Sequence, residues 1–257
     1  MGLFDRINAS RKKQHNNFDI KEKLFYSVGL NNALKANINT YTKKQIPQIY
    51  DNELALNFPA QFIYRYLNRS TIENAIKINP NIEKILYQNG LECRYYPENV
   101  NSIIMSHLIP TARKAKETYL NMGHTKNEIN YLYLTEASLL HDIGKVFIPP
   151  DILNKRGKLS RKEREIIELH NRLSYEILIT TDLNPKVAQL AYEHHNYDKK
   201  VKPNDENQVL TMADIYSALK EERSYKKALD NYMTRTILYD MAAKGAFDIK
   251  YMSYLKF

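Results

Sequence analysis

Apolar positions along this chain recur at helical spacing almost throughout. Short amphipathic runs cover residues about 22–36, 58–67, 70–78 and 81–89, with Asn or Pro at their edges. Gly90 reads as a helix C-cap and Tyr95-Tyr96-Pro97 as a break, which places a boundary near residue 98. Beyond it, the spacing predicts a helix from about Asn101 through Ile104, His107, Leu108, Ala112, Ala115 and Tyr119 to a cap at Gly123. Pro110 falls inside this span and predicts a kink or a broken first turn. A second helix follows over 127–142, feeding Leu132, Ala137, Leu139 and Leu140 to the core, with Gly144 as its terminator and Pro149-Pro150 forbidding resumption. Ser160 and Glu163 form a capping box for a helix over 161–180. Pro185 opens the next, which ends at His194-His195; another covers roughly 207–220 and holds Asp214, and one or two more finish the chain.

Alternating strand patterns are few, no hairpin signal separates apolar strands, and no internal repeat is visible. The expected fold class is therefore all-α, with a small helical domain over residues 1–98 and a larger helical unit over 99–257.

Composition narrows the setting. The 257 residues suffice to bury a real core, and 43% apolar with 26% charged residues is ordinary for a soluble globular protein. No run of eighteen apolar residues exists, so no transmembrane segment is expected. The first residues, Met1-Gly2-Leu3-Phe4-Asp5-Arg6, do not read as a secretory signal or as a myristoylation site. The single cysteine, Cys93, cannot form an internal disulfide, and a reducing cytoplasmic location is the expectation. The net charge of +9 is uneven, because residues 1–50 hold nine Lys or Arg against three Asp or Glu. Such an arm could meet an acidic partner, a nucleic acid or an anionic membrane surface, but a solvated leader is the simpler reading, and no stable nucleic-acid complex is expected. A second basic run, Lys155-Arg156-Gly157-Lys158 to Arg161, Lys162 and Arg164, suits either an anionic substrate or ordinary helix-start charges.

The chemistry sits in the histidines. Five of the seven, His107, His141, His170, His194 and His195, lie on or at the ends of predicted helices, on or beside apolar faces. One such residue is usually a satisfied core histidine. Five from four helices are different, since each buried ring leaves nitrogens that need partners. A bound dication uses the neutral imidazole lone pair, and Asp142 and Asp214 on the same helices add hard oxygen ligands.

The order His107, His141-Asp142, Asp214 resembles the defining pattern of the HD superfamily of metal-dependent phosphohydrolases. Leu139-Leu140-His141-Asp142-Ile143-Gly144-Lys145 with Ile148-Pro149, Glu168-Leu169-His170, His194-His195, Met212-Ala213-Asp214 and Arg223-Ser224-Tyr225-Lys226 resemble its HD-GYP branch, the cyclic-di-GMP phosphodiesterases. The likeness covers residues about 100–257. The branch's Gly-Tyr-Pro loop is replaced by a shorter segment, Asn196-Tyr197-Asp198-Lys199-Lys200-Val201-Lys202-Pro203. Ser174 stands where a Gly is usual, and Ile103 stands where some members carry a glutamate for a third metal, so two metals are expected.

The resemblance implies a helical HD-domain bundle that holds two divalent ions, Fe or Mn first and Mg, Ni or Zn as further candidates. It implies that one takes His107, His141, Asp142 and Asp214, and the other His170, His194 and His195 with Asp142 shared. Ions about 3.5–4 Å apart can share a hydroxide aimed at phosphorus. Asp142 and Lys145 are the expected catalytic residues, and Lys145, Arg223 and Lys226 the expected substrate contacts. Tyr197 and Tyr225 could stack on a base. The expected reaction is hydrolysis of a cyclic dinucleotide, by default cyclic-di-GMP, as the small anionic partner, with a homodimer as a candidate assembly. The alternatives are another phosphorylated substrate, a di-iron oxygenase, or a non-catalytic nucleotide-binding protein.

Overall fold

The computed structural model describes residues 57–195, 204–222 and 227–257. Among these residues every regular element is helical, as the periodicity predicts. The run predicted over 22–36 lies outside the described residues. The first described elements are α1 (Asn57–Leu67), α2 (Arg69–Ile78) and α3 (Asn81–Gln88). Asn68 caps α2 by accepting from the Thr71 N–H at 2.9 Å, and Gly90 takes φ 73° just past α3, a left-handed position that suits glycine. Phe62, Ile63, Leu67, Ile72, Ile82 and Leu86 are buried in the same apolar core as the later helices. Buried Asn79 ties α2 and α3 to a helix far along the chain, donating to the side chain of Glu176 at 2.7 Å and to its carbonyl at 3.0 Å.

The next helix begins at Glu98, earlier than the sequence predicts, and proceeds in three pieces. These are α4 (Glu98–Ile103), a π turn (Ile104–Leu108) and α5 (Ile109–Asn121). The expected disturbance at Pro110 thus takes the form of a π turn. Proline offers no N–H to the carbonyl four residues back and its ring crowds that carbonyl, so the chain there widens by one residue. Gly123 closes the segment at φ 94°.

Helix α6 (Ile129–Leu140) stops two residues short of the predicted end. His141 is its C-cap, and Asp142 then opens a 3₁₀ turn over Ile143–Phe147. Gly144 does not end α6 in a left-handed conformation, and this corrects the sequence reading. Glycine is needed there for room: a Cβ on residue 144 would lie 2.2 Å from the His170 carbonyl oxygen and 2.7 Å from the Ser174 nitrogen.

A short α7 (Pro150–Leu153) leads to α8 (Arg161–Leu178), where the predicted capping box is present in full. Ser160 Oγ accepts from the Glu163 N–H, and the Glu163 carboxylate accepts from the Ser160 N–H. Lys155 and Arg161 of the basic run pair with Glu163 and Glu165, so these two are helix-start charges. Then come α9 (Pro185–Glu193), α10 (Asp205–Lys220), α11 (Asn231–Ala243) and a 3₁₀ turn (Ile249–Ser253).

Helices α6 and α10 form the centre. Leu134 to Leu140 of α6 and Glu206 to Ile215 of α10 are buried on every side. Helix α10 lies along α5, α6 lies between α5 and α9, and α8 packs on α9 and on the 3₁₀ turn after Asp142. The polar residues of α10 are spent inside the core. Glu206 accepts from the Tyr119 hydroxyl at 2.9 Å, and the Thr211 hydroxyl donates to the His194 carbonyl at 2.9 Å. No helix among the described residues is long and apolar enough to cross a membrane.

Candidate metal centre

The predicted metal ligands arrive from helix ends, from the π turn and from within α8 and α10. His107 sits in the π turn, His141 and Asp142 at the junction of α6 with the 3₁₀ turn, and His170 within α8. His194 caps α9, His195 follows it, and Asp214 lies in buried α10. His141 and His194 end their helices and His170 lies within one, yet each ring leaves its Nδ1 beside the carbonyl three residues back. His141 Nδ1 faces the Ser138 carbonyl at 2.9 Å, His194 Nδ1 that of Ala191 at 2.7 Å, and His170 Nδ1 that of Ile167. These carbonyls fix the proton on Nδ1 and leave each Nε2 lone pair aimed into the cluster.

The ligand atoms converge as two separate groups, His107 with His141 and Asp214, and His170 with His194 and His195. A third set, His141, Asp142 and His194, takes one histidine from each; within each set the atoms are close enough to share an ion. His107 Nε2 is 2.8 Å from Asp214 Oδ1 and 3.3 Å from His141 Nε2, and His170 Nε2 is 3.4 Å from His194 Nε2. Asp142 faces both groups. Its Oδ2 is 3.2 Å from His107 Nε2, and its Oδ1 is 3.1 Å from His170 Nε2. Lys145 Nζ donates to Asp142 Oδ2 from the rim, where its side chain keeps 17% of its exposure.

The electrostatics favour an ion. Burial disfavours ionising Asp142, but Lys145, His141 and His170 outweigh it and hold the carboxyl well below the usual carboxylate range. Burial likewise works against Asp214, and its bonds to His107 and His141 hold it low. Burial, with its histidine neighbours, keeps His194 well below the ordinary imidazole value, and burial takes His195 down to about 4 despite Asp214. Burial also pushes His107 down, yet its bonds to Asp142 and Asp214 leave it raised to about 9. Two ionised carboxylates thus face rings of which two are strongly held neutral.

These residues fit a metal ion on their own geometry. Nδ1 is committed to backbone carbonyls, so lone pair faces lone pair where His170 Nε2 meets His194 Nε2 at 3.4 Å. Asp142 Oδ1 is buried with no hydrogen bond, and so is the Nδ1 of His107. A cation between the opposed Nε2 atoms and Asp142 Oδ1 satisfies these together, while His107 Nδ1 lies on the far edge of its ring; a set of imidazoles with carboxylates suits first-row transition metals.

Sequence reasoning reached these residues, noted Ser174 only as standing where a Gly is usual, and passed over Asn99. Ser174 accepts from the Gly144 N–H at 2.9 Å, and Asn99 donates to the Lys145 and Ile148 carbonyls, each at 2.9 Å. Ser174 follows His170 by one helical turn, a spacing that could have flagged it; Asn99 carries no such signal. Arg223, Lys226, Tyr197 and Tyr225 lie outside the described residues, as does the segment in place of the Gly-Tyr-Pro loop.

The HD-domain family profile matches residues 98–250, which hold every ligand of this cage. The chain belongs to the HD-domain family. Among characterised relatives it is 31% identical over 136 residues to the cyclic di-GMP phosphodiesterase response regulator RpfG of Xanthomonas campestris, covering 48% of this chain and 35% of that protein. It is 34% identical over 123 residues to 3'3'-cGAMP-specific phosphodiesterase 2 of Vibrio cholerae, covering 44% and 23%. With the cyclic di-GMP phosphodiesterase PdeB of Borreliella burgdorferi it shares 29% over 136 residues, covering 49% and 36%. The chain therefore spans well under half the length of these relatives. The HD domain of PgpH from L. monocytogenes, solved with cyclic-di-AMP, superimposes with a TM-score of 0.45 at 20% identity, over 60% of this chain and 89% of that one.

Proposed function

We propose that the chain is a metal-dependent phosphodiesterase that opens a cyclic dinucleotide, with cyclic-di-GMP as its first substrate. The observation that carries this is the placement of Asp142, whose two oxygens face His107 and His170 in separate ligand groups. His107, His141 and Asp214 would hold one divalent ion, His170, His194 and His195 a second, and Asp142 both. Bound iron or manganese would supply Lewis acidity toward the phosphate and an acidified water as nucleophile. The protein's part is position and charge. Asp142 and Asp214 stay ionised, and the carbonyls behind His141, His170 and His194 keep their rings from turning. Lys145, which pairs with Asp142 and stays partly exposed, would hold a phosphate oxygen or return a proton to the leaving alkoxide. Arg223 and Lys226 remain our assignment for a second phosphate.

In this reading residues 99–257 are the hydrolase unit and 1–98 a helical N-terminal part. The partner is a small anionic nucleotide rather than a polynucleotide, the setting is cytoplasmic, and a homodimer is the assembly to look for. A second substrate, 3'3'-cGAMP, is favoured by relatives of that name that match as well as the cyclic-di-GMP enzymes do.

The test is chromatography of reactions containing anaerobically Mn²⁺- or Fe²⁺-loaded protein with each dinucleotide, beside the Asp142→Ala variant. Linear product from the wild type and none from the variant is expected. No product from either substrate, or equal product from the variant, refutes the reading.

A further inference from the structure

The five-residue 3₁₀ turn Ile143–Phe147 carries the chemistry at its edge, with Asp142 opening it and Lys145 inside it. A turn of five residues has room for few i→i+3 bonds, and at its edges the Lys145 N–H reaches the Asp142 carbonyl at 2.9 Å and the Ile148 N–H the Lys145 carbonyl at 3.1 Å. Its shape is set largely from outside. The Gly144 N–H donates to Ser174 Oγ, and Asn99 Nδ2 bridges the Lys145 and Ile148 carbonyls. The backbone N–H of Tyr96 holds the Val146 carbonyl at 2.8 Å. Both tethering side chains are wholly buried, so no water stands ready to replace them.

The two side chains hold the turn from opposite directions. Asn99 lies on α4, upstream of His107, and Ser174 lies on α8, one turn after His170. One tether therefore registers the turn against the helix of one ligand group, and the other registers it against the helix of the second. We propose that Asn99 and Ser174 are positioning residues that lock this 3₁₀ turn between α4 and α8, so that Asp142 meets both histidine groups and Lys145 meets the substrate. The proposal rests on the reading of the site as a metal centre. It adds that the geometry of that centre is set by two residues that touch neither metal nor substrate.

Removing Ser174 Oγ leaves the Gly144 N–H buried without a partner, and removing the Asn99 amide takes a donor from the Lys145 and Ile148 carbonyls, of which that of Lys145 keeps the Ile148 N–H. Loss of a tether behind a metal ligand typically costs about 10–100-fold in metal affinity or activity. Ser174→Ala and Asn99→Ala are compared with Ser160→Ala, which removes the capping box of the same α8 without approaching the turn. Two quantities are read on the full chain: amide hydrogen exchange of peptides spanning residues 142–148, and the Mn²⁺ dissociation constant by equilibrium dialysis. Faster exchange in that span and about 10–100-fold weaker Mn²⁺ binding are expected for Ser174→Ala and Asn99→Ala, with neither change for Ser160→Ala. Ser174→Cys, which keeps a weak acceptor of similar size, should recover part of both. Unchanged exchange over 142–148, or local loosening with unchanged Mn²⁺ affinity, overturns the proposal, as does an equal response from Ser160→Ala. If the wild type itself takes up no Mn²⁺ the metal-centre reading falls; exchange over 142–148, which needs no metal, then still decides whether the tethers hold the turn.

Discussion

Replacing Gly144 with alanine is the sharpest single test of how the centre is built. The added methyl would stand 2.2 Å from the His170 carbonyl oxygen, 2.7 Å from the Ser174 nitrogen and 2.8 Å from Leu173 Cβ. Ordinary contact begins at 3.4 Å, and two of these neighbours are backbone of a packed helix, which cannot turn aside. The 3₁₀ turn and α8 must then separate by about 1 Å, a distortion of the kind that costs roughly 1–3 kcal/mol or more in a filled core. For a chain of this size that corresponds to a melting point lower by about 2–12 °C. The functional loss should be larger than the stability loss. Asp142 Oδ1 lies 3.1 Å from His170 Nε2 across this contact, and metal ligands hold their distances to about 0.2 Å. Metal content should therefore fall well below that of the wild type, and turnover by about 100-fold. Differential scanning calorimetry gives the first number, and metal analysis after gel filtration with a single-substrate assay gives the others. A Gly144→Ala protein that melts within 1 °C of the wild type and keeps its metal and turnover would show that the close approach is not rigid.

Lys145→Ala should keep metal content and slow hydrolysis by roughly 10²–10⁴; unchanged turnover would reduce Lys145 to a counter-charge for Asp142. The pH dependence of metal uptake follows from His107, raised to about 9 by its two carboxylates. Below that pH the metal-free protein carries a proton that the ion must displace, so Mn²⁺ affinity should strengthen about tenfold per unit as pH rises toward 9. The same shift has the opposite sign for folding without metal: its contribution is whole below about 6.5 and is lost as pH rises through 9. Calorimetric titrations at stepped pH that show flat affinity would contradict this assignment. Asn79→Ala removes a buried partner of Glu176 and should destabilise by about 1–3 kcal/mol, read by urea unfolding, with metal stoichiometry unchanged. A drop in metal content without a drop in stability would place α2 and α3 nearer the chemistry than the packing does.

What the sequence made legible was what is local or chemically rare. The capping box at Ser160 and Glu163 is written within four residues, and it formed as predicted. Seven residues able to ligate a metal, in helical settings, could be picked out because buried histidines in number have few other uses. Gly144 was singled out for the wrong reason, since its need for room comes from α8, a helix whose first residue is seventeen positions away. The bounds of α6 were read two residues long at each end, because the helix stops where His141 must turn inward and no sequence rule marks that. Helix α10 showed no polar face to read, since Glu206 to Ile215 are buried on every side, with Glu206 and Thr211 paired inside. Asn99 stayed invisible because its partners are backbone carbonyls more than forty residues away, which have no side-chain signature.

The π turn before Pro110 works as a phase shifter. It takes in one residue more than an α turn, so α4 is rotated against α5 by about one residue's share of a turn, roughly 100°. Upstream of it Asn99 reaches the carbonyls of the Asp142 segment, and within it His107 reaches the carboxylate of that segment. One continuous run of helical turns thereby addresses a single target from two azimuths, without an intervening loop. The spacing between Asn99 and His107 is thus a dial setting, counted in whole residues, that no change of side chain can reset.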